Sequence, residues 1–335
     1  MSARRALSAL IPEIDAWRRE GRAGDGEGAM KEWHHFVVFD RAWTLLFNLN
    51  LDGPDGGRCI VVLQRDGWRA EVLRCASPAI RRGRLDADFG DAGMRWRDGR
   101  YEVWARRPHL ALDVALTPSS VPSLSHDISL GADARLSWCL VPQLLASGHV
   151  AWDGVTERFV DRAAYHDHNW GRFVWGGDFA WEWGCAVSEG GGARWTVILA
   201  RMTDATRSRT TATSVFLIRD GRCLRYFRDA EAEFACSLDD APPCIARAPG
   251  AAALLVPDHD QDVPGTLSVR ARRGDDVVDI TLRSELRGQL LVPSERAVTR
   301  VVRVNEAHGR AQVRGRCADL RVEFEGPALL EVVRG

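Results

Sequence analysis

The densest chemistry in the chain is the run Tyr165-His166-Asp167-His168-Asn169-Trp170-Gly171. It sets five polar or titratable side chains beside an indole, and Trp175, Trp181 and Trp183 follow closely. A solvated loop does not need so much aromatic surface. An apolar core does not accept so many hydrogen-bonding groups unless each finds a partner. Both together imply an apolar pocket with a polar end. In an extended segment side chains alternate, so Tyr165, Asp167 and Asn169 share one face and His166, His168 and Trp170 the other.

A carboxyl among indoles loses solvation, which favours its protonated form and raises its pKa. Such a group can give a proton to an alkene or polarise a carbonyl, and aromatic faces stabilise a developing carbocation. Asp167 is therefore the candidate acid, with Tyr165 as its orienting neighbour and Asn169 beside it on the pocket face. The structural alternative is an aspartate that caps a turn. Two histidines at i and i+2, His166 and His168, could share a metal with His149, His34 or His35. No other close ligand pair supports that, and no metal is expected. Trp138, Trp175, Trp181 and Trp183 either line the pocket or fill a core. Alternation in Trp181-Glu182-Trp183 sends both indoles one way and Glu182 the other, where it reads as a surface charge. In Glu32-Trp33-His34-His35-Phe36, His34 shares a face with Phe36 and is the histidine expected to reach the ligand.

The elements that position these residues are short and extended. The chain has 335 residues and a net charge of -1, which argues against nucleic acid as a partner. Eight scattered cysteines without a CxxC pair suggest reduced, buried thiols. No stretch is apolar for long enough to span a bilayer, and the N-terminus lacks a signal-peptide core, so the expected location is the cytoplasm. Residues 2–19 show helical spacing at Leu7, Leu10, Ile11, Ile14 and Trp17. This helix either docks on the body or, through its flanking arginines, touches a membrane surface. Residues 21–28 form a glycine-rich linker. From Glu32 onward, apolar runs alternate with Asp-Gly turns, as in antiparallel barrels or sandwiches. Residues 118–131 and 239–264 look like loops. The expected organisation is a helix and linker over 1–30, a first barrel over 31–135 and a second over 136–335. No P-loop, GxGxxG, GxSxG or HExxH motif is present.

The seven-residue run resembles the signature of the AttH-like, hydroxyneurosporene-synthase superfamily, which includes carotenoid 1,2-hydratases, kievitone-hydratase-like proteins and lipocalin-like Diels–Alderases. Glu32-Trp33-x-x-Phe36 and Trp181-x-Trp183-Gly184 are similar to flanking motifs of the same group. The resemblance covers most of the chain from about Glu32. It implies an all-β protein of two lipocalin-like barrels holding an apolar ligand in the first barrel or between the two. It also implies that the acid of the Tyr-x-Asp pair, here Asp167, protonates an alkene, that an upstream aromatic corresponds to Trp138, and that no cofactor is needed. The expected function is a cofactor-free acid-type hydratase or cyclase of an apolar isoprenoid or polyene. A pericyclase or isomerase, and a non-catalytic lipid carrier, are the alternatives.

Overall fold

The Asp-Gly pairs do what their backbone freedom allows. Asp98-Gly99, Asp153-Gly154 and Asp220-Gly221 all take positive φ at both positions, between 48° and 82°. That is the conformation of a tight hairpin whose twist matches the strands it joins. The chain therefore folds back on itself repeatedly, and the result is almost all β. The computed structural model describes residues 3–18, 30–52, 56–131, 134–174, 179–190, 192–239, 241–255, 263–295 and 301–334. The expected linker at 21–28 lies outside them.

A short helix, α1 (Ala3–Ile14), precedes twelve strands: β1 (Met30–Phe39), β2 (Thr44–Asp52), β3 (Gly57–Gln64), β4 (Trp68–Cys75), β5 (Ala79–Ile80), β6 (Ala87–Asp88), β7 (Ala92–Arg97), β8 (Arg100–Arg107), β9 (Leu110–Pro118), β10 (Ser123–Gly131), β11 (Ala134–Trp152) and β12 (Val155–Arg172). They form one antiparallel sheet in the order β4-β3-β2-β1-β12-β11-β9-β8-β7-β6-β5, with β10 also on β11. Ten more strands follow: β13 (Phe179–Val187), β14 (Trp195–Asp204), β15 (Thr210–Arg219), β16 (Arg222–Arg228), β17 (Ala232–Ser237), β18 (Cys244–Ala248), β19 (Thr266–Arg273), β20 (Asp276–Pro293), β21 (Val301–Cys317) and β22 (Leu320–Arg334). Their order is β16-β15-β14-β13-β22-β21-β20-β19-β17, with β18 parallel to β20.

Strand alternation divides the apolar side chains among three cores. Phe36, Phe47, Val61, Met94, Val103 and Leu112 fill the inside of the first sheet, where Ile11 and Trp17 of the N-terminal segment join them. Val197, Leu199, Leu217, Ile280 and Val313 fill the second. The outer faces meet in a third core containing Val37, Trp68, Trp138, Tyr165, Trp181, Trp183 and Ile198.

Three expectations change. Both β11 and β12 belong to the first sheet, so the change of sheet comes after Arg172 and not at 136. Pro142 sits in a β-bulge inside the 19-residue β11; bulges absorb a proline that a regular ladder rejects. The loops at 118–131 and 239–264 contain β10 and β18, edge pairings whose partners supply the order their polar sequences do not advertise. The helix stops at Ile14, and Asp15 and Trp17 turn into the barrel. That helix docks, as one alternative held. No helix is long and apolar enough to cross a membrane. Of the cysteines with described side chains, all are free thiols, and Cys223 and Cys236 are exposed.

One contact locks the sheets together. A Cβ on Gly288 of β20 would stand 1.9 Å from the ring of Trp68 of β4, itself 4% exposed. Gly288→Ala should therefore lower stability by about 1–3 kcal/mol through overpacking. Urea denaturation will show the loss, and the same change in a Trp68→Ala background should cost less.

Candidate active site

The site is built on β12, which lies between β1 and β11 and is buried over residues 164–171. Gly171 lets β11 approach closely: a Cβ there would lie 2.1 Å from the carbonyl oxygen of Arg135. The alternation read from the sequence holds. Tyr165, Asp167 and Asn169 face the core between the sheets; His166 and His168 face the inside of the first.

On the outer face, Asp167 closes a narrow cleft of about 40 Å³. Trp33 and His35 of β1, Leu136 and Trp138 of β11 and Asn169 line it from the first sheet. Trp181, Trp183, Ala200, Met202 and Glu331 line it from the second. Tyr165 Oη donates to Asp167 Oδ2 at 2.7 Å, and Asn169 Nδ2 donates to Oδ1 at 2.7 Å. Burial raises the Asp167 pKa to about 6, although hydrogen bonds from Tyr165, Trp138 and Asn169 pull it part of the way back. Burial and the neighbouring Asp167 also push the Tyr165 hydroxyl well above its usual range. The pair thus holds a proton in dry, aromatic surroundings.

A second narrow chamber of about 50 Å³ continues the cleft past Trp33, Trp181 and Glu331 to Asn48, Asn50, Arg58 and Glu306. Trp181 Nε1 donates to Glu331 Oε1. Burial raises the Glu331 carboxyl to about 7, and burial together with Glu331 holds Glu306 well above the carboxylate range. His35 hydrogen-bonds Asn48 at 3.2 Å and burial holds its pKa down to about 3, so the ring in the cleft is neutral.

Of the expected residues, the structure brings together Asp167, Tyr165, Asn169, Trp138, Trp181 and Trp183. Trp175 lies outside the described residues. His34 does not reach the cleft. It pairs with His168 across β1 and β12, faces the inside of the first sheet, and stacks on His168 at 3.9 Å; His35, opposite Asp167, takes its place. Glu182 points away from the two indoles as alternation requires, but it is fully buried. Arg334, Arg201 and Arg207 contact it at 2.6, 2.8 and 3.1 Å. Burial opposes its ionisation, and Arg201 and Arg334 reverse that and lower its pKa. Glu306 and Glu331 were not singled out in the sequence. Their one signal is an acid inside an apolar run, as in Leu329-Leu330-Glu331-Val332-Val333.

The sequence matches no protein-family model and no curated protein. Solved structures do resemble it. An AttH-like protein of Nitrosomonas europaea is 14% identical, with a TM-score of 0.60 over 92% of this chain and 94% of that one. Kievitone hydratase of Nectria haematococca is 12% identical, with a TM-score of 0.63 over 97% and 94%. CghA, solved with Sch210972, is 13% identical, with a TM-score of 0.58 over 96% of each chain. The likeness runs over nearly the whole of each chain, and this chain shares the lipocalin-like fold of all three.

Proposed function

We propose that the protein is a cofactor-free enzyme in which Asp167 donates a proton to an alkene of an apolar isoprenoid or polyene, leading to hydration or cyclisation. One observation carries this: the only side chains hydrogen-bonded to Asp167 among the described residues are neutral donors, and its carboxyl closes a cleft walled by Trp33, Trp138, Trp181 and Trp183. In the step, the Asp167 proton moves to the less substituted alkene carbon and leaves a tertiary cation. The indole faces stabilise that cation. Water, or a second alkene of the same molecule, captures it, and the proton released returns to the Asp167 carboxylate. Tyr165 and Asn169 fix the orientation of the acid. The similarity in fold to kievitone hydratase and to CghA, a lipocalin-like pericyclase, supports the reading by analogy.

The test is Asp167→Asn, which keeps the size and one accepting oxygen but removes the acidic proton. A panel of polyene and isoprenoid alkenes is incubated in heavy-oxygen water and products are identified by mass. Binding is followed by quenching of the cleft tryptophans. Turnover should fall by about 10²–10⁴-fold, the span of general acid catalysis, with affinity retained. Near wild-type turnover in the variant overturns the assignment. Binding without turnover in both proteins identifies a carrier instead.

Glu331 gives a second expectation. Its folded pKa of about 7 exceeds the ordinary carboxylate value, so the folded state binds the proton more tightly than the unfolded chain. Stability from this group is complete below about pH 4.3 and is lost as pH rises through 7. Unfolding midpoints in urea should fall across that window, and Glu331→Gln should flatten the fall. An unchanged slope in the variant assigns the loss to another group.

A further inference from the structure

Two buried donors in the cleft are not used by the chemistry above. Of the indoles that wall it, Trp138 donates to Asp167 and Trp181 Nε1 donates to Glu331. Trp183 is 7% exposed, and its Nε1–H has no hydrogen-bond partner. The second donor is His35, which faces Asp167 across β1 and β12 and is 3% exposed.

The neighbours of His35 fix where its proton sits. Asn50 Nδ2 donates to Asn48 Oδ1, which leaves Asn48 Nδ2 to donate to His35 Nδ1 at 3.2 Å. Burial keeps the imidazole neutral. With Nδ1 accepting, the one ring proton is on Nε2, and Nε2 also lacks a partner. A buried N–H without an acceptor is costly, and native cores seldom keep one. Here there are two, one from each sheet, on rings whose centres are 5.4 Å apart. They call for an acceptor within the cleft.

Water meets that demand. The cleft's volume of about 40 Å³ exceeds the roughly 10–15 Å³ that one water needs. The Asp167 and Glu331 carboxyls line the same cleft and can accept the water's hydrogens. A buried water makes about three hydrogen bonds, and these groups supply them.

We propose that His35 Nε2–H and Trp183 Nε1–H hold a water beside Asp167, and that this water is the nucleophile that captures the cation. The inference rests on the role given to Asp167 above, and it makes the reaction hydration rather than cyclisation. The steps balance without a further reactant. The Asp167 O–H bond breaks and a C–H bond forms at the alkene. The water oxygen then bonds to the cationic carbon, and its proton passes to the Asp167 carboxylate. The product is a tertiary alcohol, and the acid is restored.

The first test needs no substrate. A high-resolution crystal structure of the ligand-free full chain should show one water within hydrogen-bond reach of both His35 Nε2 and Trp183 Nε1. In solution, with isotope-labelled tryptophan, the Trp183 indole N–H should show cross-relaxation with a long-lived water, and His35→Phe should abolish it. The second test follows two labels in heavy-oxygen deuterium oxide, for each alkene that the wild type converts. They are oxygen in the alcohol and deuterium on carbon. His35→Phe should lower the ratio of oxygen to deuterium about tenfold or more, through loss of a hydrogen bond to the reacting water. Asp167→Asn should lower both labels together, so deuterium reports the acid and the ratio reports the water site. A wild-type cleft in which no water reaches both N–H groups overturns the inference, as do N–H groups directed at ring faces instead. So does an unchanged ratio in folded His35→Phe. Should that variant fail to fold, or no alkene react, the wild-type crystal and solution measurements decide.

Discussion

A strand buried on both faces has no solvent to answer its polar side chains, and β12 carries polar side chains on both. Every part of the site follows from how those demands are met. On the outer face the answer is local: Tyr165 and Asn169, two residues either side of Asp167, each donate to one of its oxygens. On the inner face the answer is remote. Asp15 and Glu32 reach His166 and His168 across 151 and 136 residues of sequence. The two solutions have opposite electrostatic results. Neutral donors do not outweigh the desolvation of Asp167, so its pKa rises. Burial also works against Asp15, but the imidazoles around it more than compensate and hold its carboxyl low. One strand thus carries an acid of raised pKa on one side and, on the other, histidines that hold a remote carboxylate low.

This difference in range explains what the sequence disclosed. Period-two alternation separated the two faces of β12 and placed Trp181 with Trp183, because it needs only neighbours in the chain. It could not say which histidine of the first strand meets the acid, because that depends on register. His34 faces His168 and His35 faces Asp167, and a shift of one residue would exchange them. Asp15 turns inward just past the end of the helix at Ile14, and no local pattern marks it. Glu306 and Glu331 lie in the other sheet, and nothing local tied them to residue 167. The sheet boundary was misplaced for a related reason: which sheet residues 136–152 join depends on their pairing with β9 and β12, and nothing local shows it.

The position of the cleft follows from packing. Side chains fill the inside of the first sheet, and Ile11 and Trp17 occupy it from the N-terminal side. The second sheet has its own filled core. An aromatic-walled cleft is left where the outer faces meet. Neither half builds the site alone. The first supplies Asp167 with its clamps and Trp138; the second supplies Trp181, Trp183 and Glu331.

The distribution of buried acids argues that this seam is the working part of the molecule. The chain can neutralise a buried carboxylate when packing requires it: Glu182 meets three arginines and has a lowered pKa, and Asp15 meets histidines. Both lie away from the cleft. The carboxyls whose pKa is raised, Asp167, Glu306 and Glu331, all line its two chambers. Burying three acids with raised pKa costs stability that hydrophobic residues of the same size would not. Random core defects would not collect along one aromatic seam, whereas groups kept ready to give and take protons would.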